Sequence, residues 1–231
     1  FKETNPQIAY DSDSGRIFIA TADSLITYSV ATDIISRVKT NKGAPYRCGG
    51  GSALLYDKER NRLISYSTQF PDLNIYNFQT QSWSGSGTET LPPIQQHNHF
   101  IDYKNHKLVL FGGYGMHQYK ANLIVRDLFD GTWKTSDLKT QIMPRYLSAA
   151  GLYEDSVLMV MGGYGSPSGK QEELPQNLYD LYKIDYPNAQ CEKVTNFTIA
   201  GDPIAMGNSL LIDKNKHTVY TLAYNNDRYN S

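Results

Sequence analysis

The chain has 231 residues, 19% of them charged, and a formal net charge of −1, so it encodes no general electrostatic pull toward nucleic acid or an anionic membrane. It is long enough to bury a sizeable core, shows no transmembrane run or signal peptide, and its two cysteines, Cys48 and Cys191, are too few for a disulfide framework. Its 18 tyrosines, against 8 phenylalanines and 2 tryptophans, fit strand propensity and half-buried sheet faces. Both cysteines are expected to be buried thiols.

The first repeat opens with Ile8-Ala9-Tyr10-Asp11, turns through Gly15 and returns as Arg16-Ile17-Phe18-Ile19-Ala20. The second has Ala53-Leu54-Leu55-Tyr56-Asp57, a turn through Asn61, and Arg62-Leu63-Ile64-Ser65-Tyr66. The third runs over 100–103 and 107–111 around Asn105-His106, and the fourth over 151–153 and 157–161 around a turn at 154–156. A fifth begins at 209–213, turns at 214–216 and continues over 217–222. Each is an apolar strand, a polar turn and a second apolar strand, which predicts a β-hairpin. Tyr10, Tyr56, Tyr103 and Tyr153 recur at nearly even spacing, as if marking one place in four copies. A third strand follows each of the first four hairpins, at 24–28, 73–78, 123–128 and 178–184. In three of them a fourth segment carries a large residue: Ser82-Trp83, Thr132-Trp133 and Gln190-Cys191-Glu192. No helix is expected. Gly49-Gly50-Gly51 precedes the first strand of its repeat and stands outside the pattern.

Two of the second strands end in a glycine pair, as Phe111-Gly112-Gly113-Tyr114-Gly115 and Met161-Gly162-Gly163-Tyr164-Gly165. Glycines accept unusual dihedrals and let a neighbouring strand come close, so Gly112, Gly113, Gly162 and Gly163 are read as structural. Trp83 and Trp133 are expected to fill the wedge between neighbouring sheets, with Trp133→Ala costing about 3–5 kcal/mol. Four short strands repeating at about 50 residues describe a propeller blade.

The glycine pair, a tyrosine on the third strand and a tryptophan on the fourth resemble the kelch repeat. The match is good in the third repeat (Gly112, Gly113, Trp133) and fair in the fourth (Gly162, Gly163, Tyr179, Tyr182, no Trp). It is weak in the first two, where Ala20-Thr21 and Tyr66-Ser67 replace the pair. The expected fold is therefore all-β: a kelch-like β-propeller with four nearly complete four-stranded blades at 5–40, 46–88, 97–137 and 145–196, and part of a fifth at 204–231, in one domain. Kelch-like propellers mostly close at six or seven blades. The chain opens at Phe1 without an initiator Met and stops at Ser231 straight after a strand, so it reads as a fragment with one or two blades missing.

In such a fold the loops entering each first strand and those joining second to third strands emerge on one face. Arg47 and Arg145 precede the first strands of blades two and four, and His97, Asn98 and His99 hold the corresponding place in blade three. Tyr114, His117 and Tyr119 lie on the second-to-third-strand loop of blade three, and Tyr164 leads into a polar insertion over 165–177 in blade four. Arginines, paired histidines and tyrosines round one mouth point to an anionic or polyhydroxylated ligand.

Catalytic readings fare worse. His97 and His99 have no third ligand at a recognisable spacing, so no metal and no cofactor are expected. A copper-radical oxidase would need a tyrosine cross-linked to a cysteine plus two histidines, and nothing marks Cys48 or Cys191 for that. Asp13-Ser14-Gly15-Arg16 resembles a sialidase Asp-box only once and faintly, and no acyl-transfer, phosphate-binding or metalloprotease motif is present. The expected function is a non-catalytic binding propeller, the sensor or recognition part of a larger protein, whose partner is a protein, a glycan or a small polar or anionic ligand. A carbohydrate-active or oxidase-type enzyme completed by missing blades and a protein–protein scaffold are the alternatives. The style of the sequence resembles extracellular and periplasmic propellers, and Asn196-Phe197-Thr198 is a glycosylation acceptor only in a eukaryotic secretory setting.

Overall fold

The computed structural model describes residues 6–47, 49–85, 91–139, 141–154 and 156–225, and Cys48 lies outside them. Among the described residues, every regular element apart from one 3-10 turn at Gly49–Gly51 is a strand. The chain falls into two compact units, Phe1–Pro93 and Ile94–Ser231.

The first unit holds two four-stranded antiparallel sheets. One is β1 (Gln7–Asp11), β2 (Arg16–Ala20), β3 (Ser24–Ser29) and β4 (Ile34–Lys39); the other is β5 (Ser52–Asp57), β6 (Arg62–Ser67), β7 (Asn74–Asn77) and β8 (Ser82–Trp83). The hairpins have a local cause. The aspartate ending each first strand accepts bonds from its own turn: Asp11 from the Asp13 N–H at 3.2 Å and Arg16 at 3.0 Å, Asp57 from Arg62 Nε at 2.9 Å. The residue before each second strand then takes a left-handed φ, 64° at Gly15 and 45° at Asn61.

Paired residues on neighbouring strands share a face. Ala9, Phe18, Ala20 and Leu25 of the first sheet therefore meet Leu54, Tyr56, Leu63, Tyr76 and Trp83 of the second in one core. A polar network stitches the inner edge. The Gln7 amide donates to Tyr46 O at 2.6 Å and Ser52 Oγ at 2.9 Å, and the Tyr46 N–H donates to Ser65 Oγ at 2.8 Å.

The second unit begins with β9 (Asn98–Asp102), β10 (Lys107–Phe111), a small hairpin of β11 (Tyr114–Gly115) and β12 (Gln118–Tyr119), then β13 (Leu123–Asp127) and β14 (Trp133–Ser136). The next sheet comprises β15 (Arg145–Tyr146), β16 (Ala149–Glu154), β17 (Val157–Gly165), β18 (Gln176–Asp185) and β19 (Gln190–Asn196). A last portion has β20 (Ile204–Met206) paired with β23 (Ala223–Asn225), and β21 (Leu211–Asp213) paired with β22 (Thr218–Tyr220). The β15–β19 sheet is buried on both faces. Leu158, Ile184 and Cys191 pack on Val109, Phe111 and Leu123, while Met159 and Met161 pack on Met206, Leu210 and Val219. At the inner edge the Asn98 amide donates to Ser148 O at 2.7 Å and Asn208 O at 3.1 Å, and Ala150 bridges to Ser209 in parallel. A Cβ on Gly151 would stand 2.1 Å from Leu210 O, so only glycine permits that approach.

Three expectations change. The four evenly spaced tyrosines are not equivalent: Tyr10 and Tyr56 pair with Ile17 and Leu63, but Ile101 and Leu152 hold that place in the next two repeats. Tyr103 lies in the turn beyond β9, and the true marker is the aspartate at the strand end (Asp11, Asp57, Asp102, Asp213). Trp83 fills a wedge as expected, but Trp133 is half-buried, with the Arg126 guanidinium 5.0 Å over its ring. Here a cation–π contact replaces the wedge. The first repeat also has a fourth strand, β4, for which the sequence reading named no segment.

Candidate functional site

The site grows from the glycine pairs. At Gly112 (φ 66°) and Gly113 (φ 99°) the chain leaves β10, and a Cβ on Gly112 would lie 2.9 Å from Arg145 O. At Gly162 (φ 62°) and Gly163 (φ 119°) a Cβ would lie 2.6 Å from Met206 Sδ and 2.8 Å from Tyr146 O respectively. In both corners the backbone passes so close to the next segment that a side chain has no room. The strand emerging from each corner pairs with the segment that precedes a first strand: Tyr114 with Gln95, and Tyr164 and Gly165 with Tyr146 and Arg145.

That pairing gathers rings. Tyr114, Tyr119 and Tyr146 have centroids 5.5–5.6 Å apart, and Tyr164 stands edge-on to Tyr119 at 6.0 Å and to Tyr146 at 6.1 Å. Tyr119 is buried at the base, whereas Tyr114, Tyr146 and Tyr164 are half-buried. Burial, with the neighbouring phenols adding to it, pushes the Tyr119 hydroxyl up to about 12 and that of Tyr146 up as well, so these groups stay neutral hydrogen-bonding phenols at physiological pH. Tyr119 also borders a cleft of about 600 Å³ lined by Lys120, Asn122, Ile124, Asp137 and Ile142.

A rim surrounds the rings. β11 and β12 are joined by Met116 (φ 53°) and His117 (φ 61°), both exposed. Two consecutive left-handed residues make a type I′ turn, a place normally given to Asn-Gly. The insertion lies against this hairpin: Tyr119 N–H donates to Gly169 O at 2.7 Å, Gln171 N–H to His117 O at 3.2 Å, and the Tyr114 hydroxyl to the Gln171 side chain. Leu174 on the insertion is exposed, also with a positive φ of 50°.

Of the residues expected at the mouth, Tyr114, His117, Tyr119 and Tyr164 come together. Arg145 does not face outward. It is 0% exposed and forms a bidentate pair with Asp180 (Nη1–Oδ1 2.5 Å, Nη2–Oδ2 3.2 Å), while Nη1 also donates to Gly162 O at 2.9 Å. Asn98 is turned into the inner-edge network. His97 is buried with Nδ1 3.0 Å from Ile94 O, its ring 5.9 Å from that of His99. Burial drives His97 to about 3, with the nearby His99 adding to it, and His99 to about 4, so both are neutral. Arg47 is exposed in the other unit, ahead of β5. The face is thus mainly phenolic, and Arg145, His97 and Asn98 are turned into the fold beside it. Among the described residues no group of three or more His, Cys, Asp or Glu is placed to hold a metal, and no helix is long and apolar enough to cross a membrane.

Tyr146 and the rim residues Met116 and Leu174 escaped the sequence reading. The available signal for Tyr146 was register: it precedes a first strand and therefore lies opposite the tyrosine of the Gly-Gly-Tyr-Gly corner.

Residues 12–222 match the family model for the KLHDC2/KLHL20/DRC7 Kelch-repeats domain, and no curated protein matches the chain. Kelch domains commonly mediate protein–protein interaction. With its repeated four-stranded antiparallel sheets, its glycine-pair corners and a family match across nearly the whole sequence, the chain belongs to the kelch-repeat family and has the fold class of a partial kelch β-propeller.

Proposed function

We propose that the chain is a non-catalytic recognition module of a larger protein that takes a protein partner on the tyrosine face formed by Tyr114, Tyr146 and Tyr164, rimmed by Met116, His117 and Leu174. The observation that carries this reading is the ring cluster itself: half-buried tyrosines on the strands that emerge from the glycine corners and pair beside them, held at fixed spacing. Tyrosine offers large contact area at small conformational cost and a hydroxyl that bonds to backbone, which suits an extended, weakly charged peptide. The Met116-His117 turn joins the strands that carry Tyr114 and Tyr119, and the exposed Leu174 lies on the insertion that bonds to this hairpin.

The test is selection of binders from a displayed peptide library, followed by calorimetry with Tyr146→Ala and Tyr164→Ala. Each substitution is expected to weaken binding by about 1–2 kcal/mol, roughly five- to thirty-fold. Lys39→Ala, on the exposed edge strand β4 of the first unit, serves as control and should leave affinity unchanged. Peptides whose affinity ignores both tyrosine substitutions would sink the proposal. Failure to select peptides, combined with saturable binding of a neutral oligosaccharide that the same substitutions remove, would instead favour the glycan reading.

A further inference from the structure

Tyr119 belongs to two places at once. Its ring contacts Tyr114, Tyr146 and Tyr164 at the base of the tyrosine face, and it forms part of the wall of the cleft of about 600 Å³. A partner lying on the tyrosines therefore has a cavity within reach. Strand pairing arranges one wall of it. Ile124 lies opposite Thr135 and Leu123 opposite Ser136, so Asn122 and Asp137, the next residues along, stand side by side where β13 begins and β14 ends. Alternation puts them on the face that carries Ile124. Ile142 and Pro144 add apolar surface from the segment that leads into β15.

The two charges that line the cleft differ in what they do. The Lys120 ammonium donates to the Gln118 side chain at 3.0 Å, back toward the β11–β12 hairpin. Asp137 is exposed, and among the described residues its carboxylate has no hydrogen bond or ion pair. An open carboxylate beside an apolar slot suits a side chain with a long apolar stem and a cationic head. Arginine suits it better than lysine. The guanidinium is the more weakly hydrated cation, and its planar fork can give two N–H groups to Asp137 and another to the Asn122 side-chain oxygen.

We propose, building on the tyrosine face as the seat of a protein partner, that the cleft is the pocket for an arginine side chain of the bound peptide. The stem lies along Ile124 and Ile142, and the guanidinium meets Asp137 beside Asn122. One such cation is compatible with a peptide that is otherwise weakly charged. The tyrosines supply contact area, and Asp137 chooses which sequences may use it.

The test selects displayed peptides on the whole chain and compares each binder with a copy carrying citrulline, the neutral isostere, in place of arginine. Binders that depend on the tyrosines are expected to share an arginine at one fixed position. Citrulline there should weaken binding about ten-fold on the wild type and less than about two-fold on Asp137→Asn. Asp137 is exposed, so that variant is expected to fold, and the citrulline comparison on the wild type needs no variant at all. Methyl NMR with N-acetyl-arginine amide gives a readout that requires no selected peptide. The Ile124 and Ile142 signals should move, and N-acetyl-citrulline amide should leave them in place. Binders that lose affinity in Tyr146→Ala yet share no arginine, or that bind equally with citrulline, would overturn the inference and leave the tyrosine face standing. Isoleucine signals that stay put, or that both amides move alike, would also overturn it. Binders that need Asp137 and ignore both tyrosine substitutions would support the pocket and remove the tyrosine face from the interface.

Discussion

Arg145 shows how a residue read as a ligand contact becomes part of the frame. An arginine just ahead of a strand looks like a loop cation, and nothing local tells it apart from one. Its partner Asp180 stands 35 residues further on, and only folding brings the two together. Removing one member of such a buried pair is strongly destabilising, so Arg145→Ala should cost about 3–5 kcal/mol in urea unfolding. The tryptophans divide in the same way. Trp83→Ala should cost about 3–5 kcal/mol, whereas Trp133→Ala, which loses a half-exposed ring and one cation–π contact, should cost about 1–2 kcal/mol. His97 and His99 set a pH dependence. Their folded pKa values, about 3 and about 4, lie below the 6.5 of an unconstrained histidine, so between those limits the unfolded chain binds more protons. The stability they protect is present in full above pH 6.5 and lost as pH falls toward 4. The lowered carboxylates Asp11 and Asp127 act only below about pH 4. The urea midpoint should therefore be lower at pH 5 than at pH 7, with a difference that shrinks in His97→Gln/His99→Gln.

At the scale of elements, what was legible was what is local. Alternation, a strand-end aspartate and a turn residue at positive φ locate the hairpins, because each acts within a few residues. The glycine pairs were legible for the same reason, since a Gly-Gly after an apolar strand has few other uses. What was not legible was register between repeats, which misaligned Tyr103 and Tyr153, and the β11–β12 hairpin, whose Met116-His117 turn lacks the usual glycine. That turn is testable. Met116→Asn/His117→Gly gives both positions residues that tolerate a left-handed backbone and should raise stability by about 1–2 kcal/mol in thermal unfolding, while weakening peptide binding through loss of the rim. A stability unchanged or lowered would mean that the hairpin is held by its contacts with the insertion and carries no strain.

For the whole molecule, the class of fold was readable because the repeat multiplies weak local signals into a strong one. The candidate face was readable in part: the sequence placed the right loops together but could not say which side chains face outward. Outward orientation depends on where the next repeat's backbone passes, and that is long-range information. Gly165 and Gln176 pair directly, so the insertion leaves and rejoins the sheet at a single rung, and the pairing of β17 with β18 is complete without it. The part of it beyond Gln171, which makes none of the bonds to the β11–β12 hairpin described above, can therefore change in length and composition while β17 and β18 stay put. The rung is a socket for foreign sequence, a place where lineages could trade specificity quickly and where an engineer could graft a chosen epitope.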